Sequence, residues 1–129
     1  MYTYGMRYLV PVGRAEEALT IMRKSMRLNP HHMEHQHGML AYPLYMLRRY
    51  NEAIATINRQ TKPRIDVLAI LAGSYAQLGQ LEKARAVIDQ IRNSRPDYTL
   101  AKFAKSQRFK NPKDAMHWQE GPRKAGLPE

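Results

Sequence analysis

The sequence predicts an all-α fold of stacked helical hairpins, on three observations. Proline recurs at Pro30, Pro63 and Pro96, 33 residues apart both times. Ahead of each proline stands a small residue, Ala18, Ala53 or Ala84, in the contexts GRAEEALTIM, RRYNEAIATI and GQLEKARAVI. Upstream of each alanine lies another amphipathic segment, marked by Tyr2, Met6 and Leu9, then His37, Leu40, Ala41 and Leu44, then Leu68, Leu71, Ala72 and Tyr75. Apolar residues three and four apart form one face of a helix, and a two-helix unit at this period hides its apolar face only against its neighbours. The expected organisation is a single domain over 1–129, with hairpins at 1–30, 31–63 and 64–96 and capping helices over 97–129.

In the first hairpin Gly13, Ala18, Met22 and Pro30 keep the pattern, and a short opening helix meets Pro11. In the second, Ala41, Tyr50, Ala53, Ile54 and Ile57 hold the small and large positions, Arg48 stands in place of a turn glycine, and the second helix is short. Pro43 falls inside the first helix of this pair, where it removes one hydrogen bond, so a bend near Met39 is expected. The third hairpin, around SYAQLGQLEKA, is the most complete. Gly79 ends its first helix in a left-handed conformation, Ala72 and Ala84 let the two helices approach, and Tyr75 and Leu81 fill the space around that contact. Pro96 stops the second helix and restricts Arg95 before it.

Past Pro96, Asp97 is expected to cap a helix reaching about Arg108, with Leu100, Phe103 and Ala104 facing inward. Asn111 and Pro112 start another, with Ala115, Trp118 and Ala125 on one side. Pro122 lies inside it, so a bent or frayed end is expected from Gly121 onward. These helices would cover the open end of the array.

Leu68, Leu71, Ala72, Tyr75, Gly79, Leu81, Ala84, Ile88, Ile91 and Pro96 resemble the large, small and turn-forming positions of the tetratricopeptide repeat. The resemblance implies a right-handed α-α superhelix of about three repeats. More narrowly, LNPHH, LAILAGSYAQLGQLEKARAVIDQI, RPDYTLAKFAKSQRFKNPKD and RKAGLPE are similar to the carboxy-terminal tetratricopeptide tails of rhizobial class III adenylate and guanylate cyclases. In those proteins a cyclase domain precedes the tail, and nothing in this sequence corresponds to that domain. The resemblance thus implies the architecture without the activity, in a stand-alone relative or a detached regulatory tail.

A chain of 129 residues with 43% apolar and 25% charged residues is sized for one ordinary globular domain. With no cysteine, it has neither disulfides nor thiolate metal sites. The longest charge-free apolar stretch, VLAILAGSYAQLGQL, has 15 residues and two glutamines, too short and too polar for a membrane span. The N-terminus has no signal-peptide run, and a cytoplasmic location is expected. The net charge of +10 is spread out: residues 1–96 carry 14 Lys/Arg against 7 Asp/Glu, and 97–129 carry 7 against 4. Such a spread makes a solvated basic surface rather than a nucleic-acid-binding arm.

Two features suggest other chemistry. In HHMEHQH, residues 31–37, His31 and His35 are one helical turn apart with His32 and Glu34 close by, a spacing that suits a divalent metal. Histidines at a helix start are more simply solvated, and His37 falls at a core position, so no native metal is expected. YGMRY, YMLRRYN and KFAKSQRFK interleave rings with cations as single-stranded RNA binders do, which makes a basic RNA-binding helical protein the alternative reading. In a helical array, however, Tyr2, Tyr50 and Phe103 are core residues, so rings and charges face opposite ways.

No nucleophile motif or carboxylate pair marks a catalytic site, and neither enzyme activity nor a cofactor is expected. The preferred expectation is a protein-interaction or dimerisation module. By register, Met39, Tyr42, Tyr45 and Met46, with Ala69, Ile70, Gly73 and Gln77, line a concave groove suited to an amphipathic helix or extended peptide. Two rival arrangements use the same residues: the C-terminal helices folded across the groove, which makes Tyr42 and Tyr45 core, and a homodimer face.

Overall fold

A computed structural model describes residues 13–28 and 38–129. Among them all regular structure is helical: α1 (Ala15–Leu28), α2 (Ala41–Met46), α3 (Tyr50–Ile57), α4 (Ile65–Gln77), α5 (Leu81–Ser94), α6 (Leu100–Lys105) and α7 (Pro112–Ala125). The expected opening helix with Tyr2, Met6, Leu9 and Pro11, the closing Pro30 and the histidines of 31–37 lie outside the described residues.

Three turns share one construction. Gly13, Arg48 and Gly79 have φ of 79°, 60° and 79°. A helix begins two residues later each time, and the fifth residue after each turn is Ala18, Ala53 or Ala84, all 0% exposed. Each alanine amide donates to the carbonyl four residues back, at 3.0, 3.0 and 3.1 Å. At the second and third turns the preceding helix also closes alike. Arg48 N donates to Tyr45 O and Arg49 N to Leu44 O, just as Gly79 N donates to Ala76 O and Gln80 N to Tyr75 O. This paired closure is the Schellman motif, which needs a left-handed residue after the helix end. Glycine adopts that conformation freely, whereas the Cβ of Arg48 makes it cost about 1–2 kcal/mol.

The link between α4 and α5 is three residues long, and that between α2 and α3 is equally short, so each pair packs as an antiparallel hairpin. In α5, Ala84, Val87, Ile88 and Ile91 are buried at spacings of three and four, leaving one apolar stripe. α4 differs: ten of its 13 residues are buried. It is the central helix and packs on α2, α3, α5 and α7.

Several local expectations need correction. Leu81 is 47% exposed at the start of α5, and Tyr75 is half-buried with the Lys83 ammonium 5.8 Å from its ring centre. The second hairpin's first helix is interrupted at Leu40, next to the expected bend: residues 38–39 are helical and α2 starts at Ala41. Pro43 thereby becomes the third residue of α2, where an amide has no partner within the helix. Thr99, not Asp97, caps α6, its Oγ1 accepting from Lys102 N at 3.3 Å. Asp97 instead accepts from the Lys102 ammonium at 2.9 Å, and the helix stops at Lys105 short of Arg108.

Asn111 does cap α7, accepting from Lys113 N at 2.9 Å, with Pro112 in the first turn. The expected fraying at Gly121 is absent. α7 continues through Pro122 to Ala125 and closes on Gly126 at φ 105°, with Leu127 N donating to Pro122 O at 3.1 Å.

Candidate functional site

Apart from Met39, which precedes α2, the residues assigned to the groove fall on α2 and α4, and α7 lies against both helices. Met39, Tyr42, Tyr45, Ala69, Ile70 and Gly73 are buried, while Met46 and Gln77 are half-buried. As an open groove lining this set is therefore corrected: Tyr42, Tyr45, Gly73 and Gln77 lie against the chain's own C-terminal helix, the arrangement in which Tyr42 and Tyr45 are core.

Close approach begins at two glycines. A Cβ on Gly73 would stand 2.8 Å from Pro122 Cδ, and one on Gly121 would stand 2.8 Å from Gly73 Cα and 2.5 Å from the Tyr45 hydroxyl. Real side chains do not pack at such distances, so α4 and α7 meet backbone to backbone only because both positions are glycine. Glycine inside a helix costs about 1 kcal/mol relative to alanine, and this contact gives the physical reason for two of them.

The Tyr45 hydroxyl holds α7 by its main chain. It accepts from Gly121 N at 2.9 Å and donates to His117 O at 2.7 Å. These are the donor and acceptor that an α-helix ordinarily pairs with each other four residues apart, so the phenol bridges two main-chain groups of one helical turn. Pro122, the next residue, has no amide to offer Trp118 O, so the Tyr45 hydroxyl ties the main chain directly beside a hydrogen bond that the helix lacks. Burial pushes the Tyr45 pKa up and keeps its proton in place for the donated bond.

Trp118 is the apolar anchor, 0% exposed. Its ring stacks on Phe103 at 4.4 Å and on Tyr42 at 5.4 Å, meets Tyr45 edge-on at 5.8 Å, and donates its Nε1 proton to Phe103 O at 3.3 Å. Tyr42 in turn donates to the buried Asp66 carboxylate. Its pKa is raised by burial first and by the Asp66 charge second, so it stays a neutral donor. His117 packs against Tyr45 and Tyr50, with Nε2 donating to Tyr45 O at 3.1 Å. Burial lowers its pKa below the usual 6.5, against the opposing effect of the Tyr45 carbonyl. At the rim, Gln77 donates to Glu120 at 3.2 Å and accepts from Lys124 at 3.1 Å.

His117, Gly121 and Pro122 had no place in the groove read from sequence. The available signal was the pair of glycines at Gly73 and Gly121, each within a helical pattern that alanine would serve better. Among the described residues no group of three or more His, Asp or Glu is arranged to hold a metal, and no helix is long and apolar enough to cross a membrane. The fold and site define an all-helical protein whose α2 and α4 face is occupied by a helix of the same chain. No family model, curated protein or solved structure matches the chain.

Proposed function

We infer that the chain is a non-catalytic interaction module, a tetratricopeptide-like array whose α2 and α4 face receives an amphipathic helix. The three equivalent turns, each leading to a buried alanine, support the array. The single observation that carries the interaction reading is the seat of α7. A tyrosine hydroxyl reads its backbone, a tryptophan fills the pocket beneath it, and paired glycines set its distance. Helix-in-groove recognition uses the same elements.

In this reading α7 is the resident ligand. A protein partner offering an amphipathic helix competes with it, and a second copy forms a homodimer by exchanging α7. The similarity to cyclase tails makes a cyclase catalytic domain the first partner to try, in the cytoplasm.

The test is a labelled peptide of residues 109–129, added to the full chain and to its Gly121→Ala variant, whose own α7 is loosened. Fluorescence anisotropy should show at least tenfold tighter capture by the variant, with circular dichroism confirming that both remain helical. A folded variant that captures no more peptide than the unmodified chain removes the proposal. Nucleic-acid binding gains no comparable support: Tyr45 and Phe103 are 0% exposed and Phe109 packs on Trp118 at 5.7 Å, whereas base stacking needs open rings.

A further inference from the structure

A second concavity lies away from α7. α1, α2 and α3 enclose a cleft of about 740 Å³, a volume typical of small-molecule sites. Its apolar lining includes Met26, Leu40 and Leu44, which are 6%, 5% and 1% exposed. Its polar lining includes Arg23 and Arg27 from α1, and Glu52 and Arg59 from α3 and its C-terminal flank.

Three guanidinium groups thus face one carboxylate, and that carboxylate is already engaged. Glu52 accepts a fork from Arg49, one arm at 2.8 Å, and Arg23 stands 3.6 Å away across the cleft. Arg27 and Arg59 make no ion pair with any described residue. Arg27 is one helical turn beyond Arg23, and Arg59 is seven residues beyond Glu52, so the unpaired cations lie further along both walls from the Arg23 and Glu52 bridge. An arginine fork matches a carboxylate or phosphate through two parallel hydrogen bonds, and beside an apolar floor such a bond is screened less by water.

We propose that this cleft binds a small amphipathic anion, a carboxylate or phosphate monoester on an aliphatic chain, with the anion on Arg27 and Arg59 and the chain over Met26, Leu40 and Leu44. The cleft shares none of these residues with the α7 seat, so this proposal and the helix-capture reading stand or fall separately.

The probes are decanoate, decyl phosphate and neutral 1-decanol, titrated into the full chain. Binding is read by calorimetry and by the Met26 methyl NMR signal, assigned through Met26→Leu. Both anions should bind one per chain and shift the Met26 signal, with a tenfold or greater advantage over decanol. The tighter of the two identifies the headgroup. Arg27→Ala with Arg59→Ala should cost at least tenfold in anion affinity while leaving the melting temperature of the ligand-free chain unchanged. If that pair lowers the melting temperature, Arg59→Lys, which keeps the charge and loses the fork, should still weaken binding severalfold. Equal affinity for decanol, an unmoved Met26 signal, or undiminished anion binding by the arginine variants overturns the proposal.

Discussion

α2 borders two depressions of opposite fate. Through Tyr42 and Tyr45 it borders a face filled by α7; through Leu44 it floors an open cleft toward α1. The filled side has glycine on both partners at the crossing, so backbones meet and aromatic rings close the remaining space. The open side is rimmed by arginines, whose long charged chains hold their heads in water and do not let two helices close over an apolar floor. Whether an apolar strip on a helical array becomes core or remains a site is therefore set less by its own residues than by what the opposing wall can bring near.

The largest effect expected from breaking this contrast is on the filled side. Trp118→Ala should lose about 3–5 kcal/mol of stability, the usual cost of truncating a fully buried aromatic, measured as a shift in the urea midpoint. Next, Gly121→Ala should destabilise by about 1–3 kcal/mol through overpacking against Gly73 and the Tyr45 hydroxyl. The sign is the informative part, because in an unpacked helix the same change stabilises by about 1 kcal/mol.

Arg48→Gly should stabilise by about 1 kcal/mol, since it removes the Cβ penalty at a left-handed turn without altering the closure that Gly79 already makes. Thermal melts of Arg48→Gly should show a higher midpoint than those of the unmodified chain.

A pH titration probes the filled side through His117. Its folded pKa lies below the unfolded value of 6.5, chiefly from burial, with Arg48 also lowering it and Glu120 and Asp114 opposing. The unfolded chain therefore takes up the proton first as pH falls. This residue's contribution is fully present above pH 6.5 and is lost as pH falls toward the folded pKa. Comparing pH–stability curves with those of His117→Gln isolates it from the four histidines of 31–37; the acid-side difference should shrink in the variant.

The smallest effect belongs to the open side. Arg27→Ala should change stability by less than about 0.5 kcal/mol, as for an exposed side chain without an ion partner among the described residues.

Much of the helical layout was legible because it is local. The apolar spacing of α5, the turn at Gly79, the cap at Asn111 and the buried alanines at Ala18, Ala53 and Ala84 follow from side chains within a few residues of each other. Arg48 is instructive: the residue type gave no turn signal, yet the flanking helices impose the same left-handed geometry. Asp97 and Thr99 illustrate local ambiguity, since either can cap and the choice went to the residue whose amide partner, Lys102 N, lies three positions on.

The groove was legible as a list of residues, with a cover of C-terminal helices as one of the arrangements the sequence allowed. Tyr42, Tyr45, Ala69, Ile70 and Gly73 do share a face, but nothing in their spacing says that Trp118 and Gly121, 76 residues from Tyr45 in the latter case, would occupy it. Pro122 was misread for the same reason. Its lost hydrogen bond looks destabilising within α7 alone, whereas the Tyr45 hydroxyl, the Gly73 contact and the Leu127 closure all hold the main chain around it.

By itself, then, the sequence determined helices, their turns and the apolar stripe each one carries, because those depend on dihedral preference and on periodicity along a single segment. The tertiary structure alone decided that α7 covers α2 and α4 while α1 and α3 leave a cleft. Closure depends on distances between backbones remote in sequence, and those distances are set by which two residues happen to meet.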